Sequence, residues 1–265
     1  LTMTILICVL LIVTTWIVFR VRREADRAAF AFQIVAVAGA AFVGEDSSIR
    51  WYDFYAYSTS WHAFVDRVPV AIILIWPVVI ISALDLAKQI ATKHVAVVAA
   101  LLVLADASLI EPIATTSSLW TWSERGPFHV PLIGILGWSF FAYGVARGLT
   151  STKHALARAM VAGPLAAHAL LLATWWLALR WLPRGESAIP FVVVAWCISI
   201  GLTVAVVKRD VRIKRRDLLL RIPAASFFFV LLAVNARSDV ELVAYACAFA
   251  PPYLALTARS RARSR

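Results

Sequence analysis

The chain has 265 residues, of which 62% are hydrophobic and only 15% are charged, and its mean hydropathy is +0.82. A soluble domain of this length exposes far more charge, so the composition excludes a soluble globular protein and predicts a polytopic membrane protein. No polar stretch is long enough to build a separate soluble core. Residues 1–265 are therefore predicted to form a single integral membrane domain.

Apolar blocks recur along the whole chain, each near the length of about 20 residues that crosses a bilayer as a helix. They predict an all-α transmembrane bundle of about eight or nine spans. The first block is followed directly by the basic residues of 20–23, which is typical of a retained span and not of a cleaved signal peptide. The nine predicted spans are 2–19, 28–43, 68–85, 93–112, 130–147, 156–181, 188–207, 217–235 and 239–257.

Lysine and arginine are concentrated on alternate loops of this predicted topology. Nineteen of the 26 lie on one side, within or beside 20–27, 86–93, 148–155, 208–216 and the tail from 258, whereas six lie on the other side. By the positive-inside rule, this asymmetry predicts that the N-terminus is outside and the C-terminus inside. Topology and attraction to anionic lipid explain the net charge of +11, so nucleic acid is not a predicted partner.

Cysteine and acidic spacing give no indication of a metal or cofactor. The three cysteines, Cys8, Cys197 and Cys247, fall inside apolar blocks and are predicted to be buried free thiols. The sequence contains no CxxC or histidine-rich spacing of the kind that is typical of a metal site. An aspartate-rich pair that could hold Mg²⁺ and a diphosphate is also missing, which argues against a prenyltransferase.

Carboxylates collect towards the side that is poor in basic residues, and Asp106 is unusual among them. It lies in LLVLADASLIEP, a block with no other charge before Glu111. With a helical rise of 1.5 Å per residue, Asp106 lies about 7.5 Å deeper than Glu111. A charged carboxylate at a helix centre costs roughly 2.5–3.5 kcal/mol, so Asp106 is predicted to face the bundle interior with a partner or to be protonated. A polar packing contact is the alternative to a functional role.

Residues 50–61, RWYDFYAYSTSW, place six aromatic side chains around Asp53. One interpretation is a helix that lies in the membrane interface with its aromatic face in lipid. The other is a lid that folds over the outer helix ends and lines an apolar pocket. The next outer loop, at 118–138, again mixes aromatic residues with Glu124. Because both loops lie on the same side and flank the span that carries Asp106, the lid is favoured.

The stretch 44–140 resembles the membrane carotenoid-biosynthesis proteins that include bacterial and archaeal carotenoid 1,2-hydratases. The elements that carry the resemblance are a tyrosine-rich loop before Val68-Pro69, an acidic span end at Glu111-Pro112, Leu-Trp-x-Trp at 119–122 and Val-Pro…Gly-Trp at 130–138. The resemblance implies a multi-pass protein of a prokaryotic inner or plasma membrane. It also implies an apolar isoprenoid or carotenoid substrate, with membrane lipid as the other partner.

The reaction that this resemblance implies is acid-catalysed hydration of a terminal isoprenoid double bond. A buried carboxylic acid protonates the alkene, and water captures the tertiary cation; neither a metal nor another cofactor is needed. Asp106, in its apolar helix, is the predicted donor, and Glu111, Glu45 or Asp53 would position the water. Aromatic faces would shield the cation. The predicted substrate-binding residues are Tyr55, Tyr57, Trp61, Trp120, Trp122 and Trp138.

Two other functions fit the same sequence features. An isoprenoid cyclase would use the same protonation but would lose a proton instead of adding water, so the mass of its product would equal that of its substrate. A non-enzymatic lipid-binding or transport protein would bind the apolar molecule without converting it. The sequence does not predict the oligomeric state.

Overall fold

The computed structural model describes residues 2–151, 154–182, 187–209, 211 and 213–261. Within these ranges, nine helical segments are long and apolar enough to cross a membrane, which confirms the predicted all-α transmembrane bundle. Some of the basic residues counted for the topology lie outside the described residues; they are Lys153, Arg184, Arg212, Arg263 and Arg265.

The helices follow the predicted apolar blocks closely, because a run of apolar residues of spanning length is a local property of the sequence. The eighth span combines α8 and α9, and the ninth combines α10 and α11. The helices are α1 (Thr2–Val21), α2 (Arg27–Tyr52), α3 (Val70–Ile90), α4 (Val95–Thr116), α5 (Leu132–Leu149), α6 (Ala155–Leu177), α7 (Ile189–Lys208), α8 (Arg215–Leu219), α9 (Ile222–Asn235), α10 (Val240–Cys247) and α11 (Ala250–Arg261).

Helix α2 is longer than the predicted second span, which ended at residue 43. The acids at 45 and 46 resemble loop residues in the sequence, yet the helix continues through them to Tyr52. Asp46 is accommodated by an ion pair with Arg50, one turn further along the same helix, at 2.7 Å. The helix ends because Asp53 adopts a left-handed conformation, with φ 51° and ψ 36°. The interfacial-helix interpretation of residues 50–61 is therefore wrong.

In the part of the chain that the structure describes, four short strands lie between the helices: β1 (Tyr55–Tyr57), β2 (Phe64–Val65), β3 (Val68–Pro69) and β4 (Trp120–Trp122). Strands β2 and β3 form a small hairpin, whereas β1 pairs with the distant β4 in antiparallel register. We call the β1–β4 pair the ribbon. Because β1 follows α2 and β4 follows α4, the ribbon lies at the end of the bundle where these two helices finish, which we call the ribbon end.

Helices α5 and α6 pack closely because small residues line their contact. A Cβ atom added to Gly144 would lie 2.0 Å from the carbonyl oxygen of Ala162, so no larger residue fits there. Small residues of this kind let two helix backbones approach within a membrane, where apolar side chains gain nothing by leaving lipid. Helix α3 is the most buried of the spans, whereas α7 has almost no fully buried residues.

Candidate functional site

The ribbon and the adjoining helix ends enclose an apolar cavity of about 140 Å³, which we call the ribbon cavity. A single water needs roughly 10–15 Å³ by the same measure, so the space admits a much larger group. Its wall is formed by side chains from the ribbon, from α1 to α6 and from α9. Two carboxyl groups, those of Glu45 and Glu111, lie in this wall.

Glu45 projects from α2 and is held by three neutral donors. Its Oε2 accepts hydrogen bonds from the hydroxyl groups of Tyr55 and Tyr57, the latter at 2.9 Å. Its Oε1 accepts a hydrogen bond from Trp76 Nε1 on α3, also at 2.9 Å. Burial and the charge of Glu45 raise the pKa of Tyr55 and of Tyr57 well above the usual range. Both phenols therefore stay protonated and remain hydrogen-bond donors at physiological pH.

Glu111 lies near the ribbon end of α4 and is only 1% exposed. Its Oε2 accepts hydrogen bonds from Trp120 Nε1 at 2.8 Å and from Trp122 Nε1 at 2.9 Å. Trp138 on α5 also interacts with this carboxyl group. The indole of Trp122 packs so closely on Gly134 that an added Cβ there would lie 2.6 Å from the ring. Gly134 is thus the residue that lets α5 approach the tryptophan that holds Glu111.

The register of the ribbon explains why four aromatic side chains face the two carboxyls. Tyr55 is opposite Trp122, and Tyr57 is opposite Trp120. Successive side chains of a strand point to opposite faces, so all four rings share one face. The ring centroids of Tyr55 and Trp122 are 4.9 Å apart, and those of Tyr57 and Trp120 are 5.9 Å apart.

All six residues predicted to bind substrate line the ribbon cavity: Tyr55, Tyr57, Trp61, Trp120, Trp122 and Trp138. Trp61 is buried, and its Nε1 donates a hydrogen bond to the carbonyl oxygen of Leu119 at 3.1 Å. This bond ties the segment after β1 to the residue before β4. The aromatic wall of the cavity is consequently fixed by hydrogen bonds between two loops that are far apart in sequence.

Asp106 lies elsewhere, in the wall of a second cavity of about 250 Å³. Both of its carboxylate oxygens are 2.5 Å from Arg221 Nη2, so it has the interior partner that its depth required. Arg221 also donates to Ser82 Oγ at 3.2 Å and to the Tyr253 hydroxyl at 3.4 Å. The lining of the second cavity does not include Glu45 or Glu111, so the structure separates Asp106 from these two acids.

Asp53, the fourth acid singled out in the sequence, is exposed and lines neither cavity. Its backbone N–H donates to the carbonyl oxygen of Ile49 at 3.1 Å and so closes the end of α2. Its carbonyl oxygen accepts a hydrogen bond from Ser123 Oγ at 2.8 Å, just after β4. Asp53 thus connects the helix to the ribbon through its backbone.

The sequence did not indicate that Trp76 donates a hydrogen bond to Glu45 or that Arg221 forms an ion pair with Asp106. The pairing of β1 with β4 was also missed. Two signals were available: the alternation of aromatic and small residues in YAY and WTW, and a lone arginine in one span that matches a lone aspartate in another. Among the described residues, no group of histidine, cysteine and acidic side chains is placed to hold a metal ion.

The fold and the ribbon cavity define a helical membrane protein that encloses an apolar, aromatic-walled space beside two carboxyls. Residues 2–198 match the model of a family described as carotenoid biosynthesis protein, and the chain belongs to this family. It is therefore a membrane protein of carotenoid biosynthesis. The match extends well beyond the stretch 44–140 that carries the resemblance in the sequence. No curated protein and no solved structure gives a significant match.

Proposed function

We propose that the protein is a hydratase that adds water to the terminal double bond of an acyclic carotenoid in the ribbon cavity. The observation that carries this proposal is the pair of carboxyl groups held by phenol and indole donors in an apolar, aromatic-walled space. A carboxyl group whose neighbours are neutral can exist with or without its proton, which acid–base catalysis requires. Family membership supports a role in carotenoid biosynthesis and leaves the reaction to be tested.

Glu111 is the proposed proton donor. Both ribbon tryptophans donate to its Oε2, so the neutral acid would carry its proton on Oε1. This proton bonds to the secondary carbon of the terminal alkene through the π electrons, which leaves a tertiary cation. The ring faces of the cavity wall stabilise such a cation, by about 2 kcal/mol or more where water is excluded.

Glu45 is the proposed base. Both of its oxygens accept hydrogen bonds from neutral donors, which hold the carboxyl group in place to receive a proton. The carboxylate orients a water molecule whose oxygen bonds to the tertiary carbon, while a water proton passes to Glu45. Return of that proton to Glu111 in the same cavity completes the cycle. One C–H and one C–O bond form, and the π bond and one O–H bond of the water break, so no electrons are supplied or removed.

The donor role predicted for Asp106 from the sequence passes to Glu111 in this proposal. The guanidinium group of Arg221 contacts both oxygens of Asp106, and Asp106 does not line the ribbon cavity, so it is not placed to protonate a substrate there. Asp53 is exposed at a helix end, so it has no role in the proposed chemistry. The roles of Glu45 and Glu111 divide the donor and base functions between two acids in different hydrogen-bonding environments.

Expression in a host that accumulates an acyclic carotene, followed by mass analysis of the pigments, tests the proposal. We expect a product heavier than its substrate by one water, and no such product with Glu111→Gln. A new product of unchanged mass would contradict hydration and indicate cyclisation. Pigment that co-purifies with the protein without conversion would contradict an enzymatic role and indicate a binding protein.

A further inference from the structure

We propose that the second cavity is the lateral portal through which the substrate chain enters from the bilayer, and that it opens between α9 and α11. The inference rests on the proposed function only in taking a long apolar chain as the molecule that must reach the ribbon cavity. It assigns a role to the part of the molecule that holds Asp106 and Arg221, which the proposed chemistry does not use.

The two cavities are adjacent. Five residues line both of them, and all five are apolar: Val78, Val79, Ile110, Ala224 and Phe228. These five side chains form a wall that the two spaces share. A hydrocarbon chain that occupies the second cavity can therefore reach Glu111 without crossing a polar barrier, by displacement of side chains alone.

The far side of the second cavity reaches the lipid-facing surface. Three of its lining residues are exposed: Ile222 (46%) and Ala225 on α9, and Leu254 (66%) on α11. All three lie within the eighth and ninth candidate spans, so the surface that they form faces the bilayer interior. A carotene dissolves in that interior and not in water, so an opening at this depth admits it without a transfer through water.

The length of the substrate also requires such an opening. An extended carotenoid is comparable in length to the hydrocarbon core of a bilayer, about 30 Å. Asp106, in the wall of the second cavity, lies only about 7.5 Å from Glu111 along the axis of α4. With its terminal double bond at Glu111, most of the chain must therefore lie outside the protein. The portal lets the end group enter the ribbon cavity while the rest of the chain stays in lipid.

Arg221 holds the walls of this portal together. From its position just before α9, it contacts Asp106 on α4, Ser82 on α3 and Tyr253 on α11. It thus fixes α9 and α11, which flank the opening, to the two central helices. Because Asp106 neutralises the arginine charge, the pair presents no net charge to an apolar chain that passes it.

Matched substitutions on α9 test the portal. Ala225 lines the second cavity and Ser226 does not, and both are exposed, so Ala225→Phe and Ser226→Phe each add a phenyl ring at an exposed position of the same helix. The protein in lipid nanodiscs is mixed with vesicles that contain an acyclic carotene, and quenching of its tryptophan fluorescence reports loading of the tryptophan-lined ribbon cavity. We expect Ala225→Phe to load at least about tenfold more slowly, and Ser226→Phe to load like the wild type.

A second variant blocks the portal only after folding. Ala225→Cys, labelled with a bulky maleimide in the nanodisc, should load slowly, whereas labelled Ser226→Cys and the labelled wild type should not. Equal loading rates in each matched pair would overturn the portal, whether or not product forms. Normal loading of the wild type without any product would contradict the proposed hydration and leave the portal standing.

Discussion

The two cavities bury carboxyl groups in opposite electrostatic surroundings. In the ribbon cavity, Glu45 and Glu111 are held by phenol and indole groups, whereas in the second cavity Asp106 faces the guanidinium group of Arg221. A carboxyl group held by neutral donors has no ion pair to lose when it gains a proton, whereas protonation of Asp106 would break its ion pair with Arg221. The depth of an acid in a membrane therefore does not reveal its role, because the role depends on the group that it faces.

The largest effect should follow removal of the acid–base function from the ribbon cavity. We expect Glu45→Gln to lower the rate of product formation by about 10²–10⁴-fold, the usual contribution of a positioned acid or base. The measurement is the initial rate per folded protein in membranes that contain an acyclic carotene. Glu124→Gln is the control, because Glu124 accepts a hydrogen bond from Trp175 at 3.3 Å and does not line the cavity. Equal rates in the two variants would remove Glu45 from the mechanism.

In the second cavity, the expected effect is on stability. Arg221→Met leaves Asp106 without its cation. Loss of one partner of a fully buried pair costs about 3–5 kcal/mol in the free energy of unfolding, and we expect a cost at or below this range because these side chains are 12% and 17% exposed. The double variant Arg221→Met, Asp106→Leu removes both charges and should recover most of this loss. Denaturant titration of the protein in detergent micelles measures both values. A double variant as unstable as the single one would contradict the idea that the loss comes from the unpaired charge of Asp106.

A smaller loss should follow removal of one hydrogen bond to Glu111. Trp122→Phe keeps a ring in the wall and leaves the bond from Trp120, so we expect the rate to fall about tenfold, which corresponds to a hydrogen bond of about 1–2 kcal/mol. Trp175→Phe removes an indole donor from an acid outside the cavity and should leave the rate unchanged. If both variants kept the wild-type rate, the indole contacts with Glu111 would be irrelevant to the chemistry.

The smallest effect concerns alkaline pH. The pKa values of Tyr55 and Tyr57 are raised in the folded protein, chiefly by burial. Above about pH 10 the unfolded chain releases these protons while the folded protein keeps them, so the free energy of unfolding falls as pH rises. Removal of one phenol should make that fall less steep. The unfolding midpoints of the wild type and Tyr57→Phe, each measured at pH values from about 9 to 11, should therefore converge as pH rises. Parallel curves would contradict a raised pKa for Tyr57.

The spans could be predicted from the sequence because length and apolar composition are local. The end of α2 could not be predicted, because Glu45 resembles a loop residue until its hydrogen-bond donors Tyr57 and Trp76, which are distant in sequence, are known. The ribbon was hidden for a related reason: each of its strands has three residues, and 62 residues separate Tyr57 from Trp120 along the chain. Three residues are too few for alternation to stand out in a sequence.

The candidate site was predictable in part. The sequence indicated that aromatic loops and acids meet at one end of the bundle, and six of its aromatic residues do line one cavity there. It also indicated that Asp106 needs an interior partner, but depth gives only a position along the helix axis. Which way a side chain faces depends on helix packing, and the packing turns Glu111 towards the ribbon and Asp106 towards Arg221.

The most direct test of the account compares the two acids of α4 as amides, Glu111→Gln and Asp106→Asn, by product formed per folded protein in a host that accumulates an acyclic carotene. If Glu111 donates the proton, Glu111→Gln should lose about 10²–10⁴-fold of the activity, whereas Asp106→Asn should lose less than about tenfold. The reverse order, with Asp106→Asn inactive and Glu111→Gln active, would contradict the assignment of the chemistry to the ribbon cavity.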